Sequence, residues 1–330
     1  MSDKKVITVF GATGNQGGSV IDIVLARTEL SSKYALRGVT CDPSSSKSKA
    51  LADKGVEMVK ADLDDVEAMK QAIKGSYGVF GATDFWAIMD KQREIQQGKN
   101  IFEAAKSQGV KHYVFSSLPH VEKLTNGELK HVEHFDGKAE VAEYIEENKG
   151  DMLASYFMPA IYVSLTGQNM QRANMFYRFI TFVKQQIRDV NGTPTLALPF
   201  PSEDIAWPLL DLRRDSGAYV LGLFESGADA NGARAHGVSA WTTPKQLVAA
   251  ASKEARKEVK FAPLPAEVFA GVLPENIRDE LLETMLLVGN YSYYGLGEEK
   301  KQEEHGGKWL VNADLISIED WVKSHGPWEL

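Results

Sequence analysis

The run Gly11-Ala12-Thr13-Gly14-Asn15-Gln16-Gly17 constrains the fold more than any other stretch of the chain. It stands between an apolar, β-rich segment, residues 6–10, and a segment in which Val20, Ile21, Val24 and Leu25 recur at helical spacing. Three glycines in the pattern GxxGxxG say little alone, and a turn that merely needs glycines would look the same. Between a strand and a helix they match a diphosphate cradle. Gly11 permits the tight turn, Gly14 lets the backbone approach the phosphates, and Gly17 lets helix and strand pack closely. The phosphates would lie on the unpaired N–H groups and positive dipole end of the helix.

The next 150 residues repeat the same alternation. Strands are expected at 34–40, 56–60, 77–82, 112–116 and 153–157. Between them come helices at 18–30, after Asp64 or Asp65, at 95–107 and at 141–148, several closed by Gly75, Gly109 and Gly150. Such alternation demands parallel strands with crossover helices on both faces, an α/β doubly wound sheet of the Rossmann type. Ligands in these sheets sit beyond the carboxyl ends of the strands, where the strand order reverses. Further along, Thr243-Pro244 and Ser317 with Asp320 read as helix starts, and residues 286–308, with their charged run from 298 to 304, read as a mobile loop.

At 330 residues the chain exceeds what one core usually supports. The expected division is a dinucleotide-binding domain over 1–160, also receiving a strand and helix from about 205–245, and a smaller mixed α/β domain over 161–330. A lone cysteine, Cys41, rules out a disulfide scaffold. The apolar run near the start is too short for a signal core or a membrane span, so a cytoplasmic location, with the nucleus left open, is the default expectation. The net charge of −8, from 45 acidic and 37 basic residues, argues against direct nucleic-acid binding. The densest basic stretch, 253–260, interleaves Glu254 and Glu258 and reads as a solvated helix face. No metal-ligand spacing emerges, and the GxSxG elbow of a serine hydrolase is missing.

Residues 9–20 resemble the opening of the NmrA-like family, atypical members of the short-chain dehydrogenase/reductase superfamily. His134-Phe135-Asp136-Gly137-Lys138, with Glu140-Val141, is similar to the same family and in particular to a human redox-sensing member. The similarity runs along most of the chain, with an insertion near 164–200. It implies a Rossmann fold that binds NADP(H), often in a regulatory role, with a possible homodimer. In fungi the family's namesake restrains a transcription factor.

The resemblance assigns cofactor contacts to Gly11, Thr13, Gly14, Asn15, Gln16 and Gly17. Asp62 and Leu63 would flank the adenine, Thr83 and Phe85 the ribose and nicotinamide wall, and Pro159, Ile161 and Tyr162 the nicotinamide amide. Family members that bind NADP place an arginine where this chain has Cys41. Ser46 and Lys47, with Ser44, Ser45 and Lys49, could still receive a 2′-phosphate, while Asp42 would repel it. NADP(H) is the expected cofactor, with NAD(H) open.

Reductases of the parent superfamily use Tyr-x-x-x-Lys on one helix face, where the lysine lowers the phenol's pKa and the phenol shuttles the proton. Here the spacing survives but His134 replaces the tyrosine four residues before Lys138. Lys138 therefore reads as a ribose and nicotinamide anchor, and His134 and Tyr162 as candidate proton donors, each also readable as a packing residue, His134 more so. Two functions follow. An intact cradle beside a broken dyad suggests a cofactor sensor acting through a protein partner. Alternatively the chain is an NAD(P)H-dependent reductase of a carbonyl, enone or quinone, working through Lys138, with Phe176, Tyr177, Phe179 and Phe182 walling a substrate pocket.

Overall fold

The computed structural model describes residues 4–162, 187–190, 193–305, 308–311 and 314–324. The apolar run ahead of the glycine turn forms β1 (Lys5–Val9), and α1 (Asn15–Ala26) follows the turn directly. Then come α2 (Thr28–Lys33), β2 (Tyr34–Thr40), α3 (Ser46–Ala52), β3 (Glu57–Lys60), α4 (Val66–Ile73) and β4 (Gly78–Gly81). The chain continues through α5 (Phe85–Ile88), α6 (Lys91–Ser107), β5 (His112–Ser116), α7 (Val121–Leu124), α8 (Glu133–Asn148), β6 (Leu153–Pro159) and β7 (Ile161–Tyr162). After β8 (Ile187–Val190), β9 (Thr193–Leu198) and β10 (Trp207–Leu210) come α9 (Leu212–Ser226), β11 (Arg234–Gly237), β12 (Ala240–Thr242) and α10 (Pro244–Ala255). The last elements are β13 (Lys260–Pro263), α11 (Ala266–Ala270), α12 (Arg278–Tyr291), α13 (Glu298–His305) and α14 (Ile318–Ser324).

Seven strands form one parallel sheet in the order β11-β6-β5-β4-β1-β2-β3. Alternate residues feed two cores, one on each face. On β5, Val114 joins the core of α1 and α9, while Tyr113 and Phe115 join that of α4, α6 and α8. That two-sided burial is why the strands read as apolar runs and not as alternating patterns. The chain runs outward from β1 to β3 and then crosses back to β4 on the other side of β1. The reversal point therefore lies at the carboxyl ends of β1 and β4, beside the glycine turn.

The α1–α9 contact is a backbone-level approach. A Cβ on Gly217 would come within 2.4 Å of the Ser19 carbonyl oxygen. Ser19 Oγ accepts the Gly217 N–H at 2.8 Å.

Two smaller three-stranded sheets, β12-β10-β7 and β13-β9-β8, lie outside the main one. Thr243 caps α10 by accepting the Gln246 N–H, with Pro244 at the first helical position. Three expectations need correcting. Within the stretch expected as a loop, Leu286–Tyr291 end α12 and Glu298–His305 form α13. The helix expected at 141–148, α8, begins at Glu133, eight residues ahead of 141. The basic stretch 253–260 leaves its helix at Ala255 and enters a strand at Lys260.

Candidate functional site

At the turn, Gly11 adopts φ +63°, a left-handed conformation that a side chain disfavours, and its carbonyl accepts the Gly14 N–H at 2.8 Å. A Cβ on Gly17 would sit 2.5 Å from Gly11 O and 2.8 Å from Phe10 O, so only glycine lets α1 start this close to β1. Gly14 caps α1 with no side-chain bond, and Gly11 and Gly14 are exposed. The result is an open, side-chain-free surface at a helix N-terminus, the shape and polarity that a diphosphate requires. Gln16 and Ser116 tie this turn to the end of β5, with Ser116 Oγ donating to Gln16 Oε1 at 2.7 Å. From α9, Arg213 donates to the Gly14 carbonyl at 3.2 Å and pairs with Asp22.

The ends of β2 and β3 form the neighbouring wall. Cys41 is exposed, with its thiol pKa pushed up by partial burial and by Asp62. Asp42 lies below its ordinary value because Ser44 donates to it from both hydroxyl and backbone. Ser45, not Ser46, caps α3, leaving Ser46 and Lys47 exposed on its first turn. The cation whose field reaches both Cys41 and Asp42 is Lys60, paired with Thr40 in the β2–β3 ladder. Asp62 and Leu63 follow β3; Asp62 accepts the Asp64 N–H, and Leu63 packs half-buried against the core.

Near the carboxyl end of β4 stands Lys138, buried on α8. Its Nζ pairs with the carboxylate of Glu94 on α6, which is 0% exposed. Thr83, just past β4, donates its hydroxyl to the same Glu94 oxygen at 2.8 Å. Asp84 stays open to solvent, yet enough protein surrounds it for desolvation to raise its pKa, with Lys138 the main opposing charge. Phe85 is buried and packs edge-on against Trp86 at 5.2 Å.

His134 lies one turn before Lys138 and is also buried. Its Nδ1 pairs with Glu280 of α12, and its ring packs on Trp86 at 4.9 Å. Pro159 gives its carbonyl to the Tyr293 hydroxyl at 2.8 Å, and Ile161 is buried in the ladder with Leu209. The side chain of Tyr162 and the aromatics Phe176, Tyr177, Phe179 and Phe182 lie outside the described residues.

Two groups at this site escaped the sequence reading. Glu94 follows the cap Asp90 in the first turn of α6, so it reads as an ordinary helix-start acid. Glu280 is hidden in the same way among the acids that open α12. A third constellation, His120, Glu122 and Asp136, brings three ligand atoms within 4.8 Å. Bonds within the protein account for it: Asp136 accepts the Val121 and Glu122 N–H groups, and His120 pairs with Glu143. A cavity of about 460 Å³ between α8 and α13, lined by Glu143, Met158, Arg234 and His236, touches none of the expected cofactor residues. No helix among the described residues is long and apolar enough to cross a membrane.

A parallel sheet in this order, with a glycine cradle at its reversal point, defines a Rossmann-type dinucleotide-binding protein. Residues 3–309 match the NmrA-like family, and the chain belongs to it. It is similar to the NmrA-like oxidoreductase FrzB of Cladobotryum, 31% identical over 78% of this chain and 76% of that protein. It is also similar to the NmrA-like oxidoreductase malD of Malbranchea aurantiaca, 27% identical over 99% and 97%. Among solved structures, the negative transcriptional regulator NmrA in complex with NADP shares the fold. It has a TM-score of 0.72 and 21% identity, covering 99% of each chain.

Proposed function

We propose that the chain is a nicotinamide-dinucleotide-dependent oxidoreductase acting on a small carbonyl, enone or quinone. The observation that carries this reading is Lys138, a buried amine held by Glu94, which Thr83 binds just past the end of β4, the strand beside β1 and its Gly11–Gly17 cradle. The fungal relatives, named oxidoreductases, support the same class, and the NADP complex of NmrA supports the cofactor. The bound dinucleotide supplies the reducing equivalent. The N–H groups of the turn would hold its diphosphate, and Lys138 would donate to the ribose beside the nicotinamide and to the oxygen that gains charge. His134, the residue in the phenol's place, is committed to Glu280.

That commitment favours a second reading, a cofactor sensor that signals to a protein partner. Glu280 links the helix carrying Lys138 to α12, so a ligand that binds one arrangement of α8 better would bias the other region too. One experiment separates the readings. NADPH is mixed with the protein and a panel of quinones, enones and aldehydes, and nicotinamide absorbance is followed. Turnover that vanishes in Lys138→Met supports the reductase; firm NADPH binding with no turnover on any acceptor supports the sensor. No binding of any nicotinamide dinucleotide would sink both.

A further inference from the structure

We infer that Glu94 is the positioning residue of Lys138 and that Gly137 is the glycine that makes room for it. This rests on Lys138 facing the cofactor, as proposed above. Glu94 is fully buried, and its Oε1 receives both Lys138 Nζ and the Thr83 hydroxyl. Its Oε2 has no hydrogen-bond partner and lies against Gly137, where a Cβ would come within 3.1 Å. A buried carboxylate oxygen without a donor is costly. Its cost is offset here by the ammonium on the neighbouring oxygen.

The dependence runs both ways. A buried ammonium without a counter-charge tends to shed its proton, and a neutral amine anchors an anionic dinucleotide or polarises an oxygen less strongly. An ammonium offers three N–H donors, so the bond to Glu94 leaves donors for a ribose hydroxyl. Two carboxylates meet Lys138: Glu94 from α6, fixed and buried, and Asp84 from the loop after β4, open to solvent. Lys91, the nearby cation of α6, is held by Glu140 and does not compete. Thr83 selects which Glu94 oxygen faces the amine, because its hydroxyl donates to that one. Glu94 thus gives the amine a buried counter-charge and an aim, while Gly137 keeps the carboxylate from being displaced.

The test is the pH profile of NADPH affinity, read by fluorescence titration from about pH 6 to about pH 10, in the parent, Glu94→Gln and Lys138→Met. Glutamine keeps the shape and the Thr83 bond but removes the charge. Glu94→Gln is expected to bind like the parent at the acid end and about tenfold more weakly at the alkaline end. Its loss of affinity should begin at a lower pH than the parent's. Lys138→Met should bind weakly and show no such loss. If Glu94→Gln does not fold, Thr83→Val serves instead, with a shift of the same sign and smaller size. A Glu94→Gln profile superimposable on the parent, with Lys138→Met impaired, overturns the inference and leaves the functional reading standing. A Lys138→Met protein that binds like the parent throughout overturns both.

Discussion

Glu280, on α12, caps a helix that belongs to the dinucleotide-binding sheet: its carboxylate takes Nδ1 of His134 together with the backbone N–H groups of Glu133 and His134. Val132, the local cap of α8, supplies no side-chain bond, so this distant carboxylate does the capping. One helical turn along α12, Glu283 repeats the arrangement, accepting the Lys130 and His131 N–H groups at 2.6 Å each and pairing with the His131 ring. The end of the helix that carries Lys138 is therefore held by the C-terminal region.

Removing the cap should loosen that helix before it unfolds the protein. Glu280→Ala strips a buried acceptor from three donors, and roughly 1–3 kcal/mol of stability should be lost. Hydrogen exchange should quicken at Glu133 and His134 first. Unchanged exchange there, with full stability by urea denaturation, would show that α8 does not depend on α12.

Glu283 gives a contrast in pH. The His131 pKa is raised, chiefly by its bond to Glu283. The stability it adds is present below the ordinary histidine value and fades as pH rises through the raised one. The ring is mostly exposed, so His131→Ala should cost little, whereas Glu283→Ala also frees two backbone donors and should cost more. Thermal melts below pH 6.5 should rank the variants in that order, and equal losses would contradict it.

The glycine turn allows a sharper ranking. A methyl at Gly17 meets backbone oxygen at 2.5 Å, while one at Gly14 meets Gly11 O at 3.1 Å. Gly17→Ala should therefore shift the start of α1, lowering the Tm and abolishing measurable NADPH binding. Gly14→Ala should fold and bind at least tenfold more weakly, the added methyl standing on the exposed phosphate surface. Calorimetric titration of both variants decides it. Parent-like affinity in Gly14→Ala would place the phosphates elsewhere.

How much of this was legible beforehand depended on whether a residue's partner is local. The glycine turn and β2 and β5 could be read outright, because apolar runs and turn residues act within a few positions. The start of α8 could not. Its first turns point His134, Asp136 and Lys138 inward, so the apolar periodicity that marks a helix begins only near Val141. Likewise Glu298–His305 is almost wholly charged and has no apolar stripe to betray a helix. Glu94 and Glu280 were invisible as site residues because what distinguishes them is a partner 44 or 146 positions away.

Lys60 is the lysine expected to weigh most on cofactor preference. The lysines expected from sequence, Lys47 and Lys49, lie on the exposed face of α3, whereas Lys60 acts on both Cys41 and Asp42. An exposed charge contact of this kind contributes up to about 1 kcal/mol. Lys60→Met should accordingly narrow the ratio of NADPH to NADH affinity by up to about fivefold, with Lys47→Met changing it less. Parallel titrations with the two cofactors measure this. A ratio unaffected by Lys60→Met would assign the 2′-phosphate to other groups.

The sheet itself carries an acid-sensitive element remote from the cleft. His112, at the start of β5, is fully buried, with Nε2 bonded to Ser155 Oγ at 2.9 Å and its ring edge-on to Phe224. Burial pushes its pKa down to about 4. Between that value and the ordinary value of about 6.5 the unfolded chain binds a proton that the folded one refuses, so stability rises with pH across this window. Below it the loss reaches roughly 3 kcal/mol. Replacing His112 by glutamine retains a hydrogen-bonding group for Ser155 while removing the proton acceptor. Urea midpoints taken at about pH 7 and about pH 4.5 should therefore converge in His112→Gln relative to the parent. If the parent loses no more stability than the variant over that interval, another group governs the acid limb.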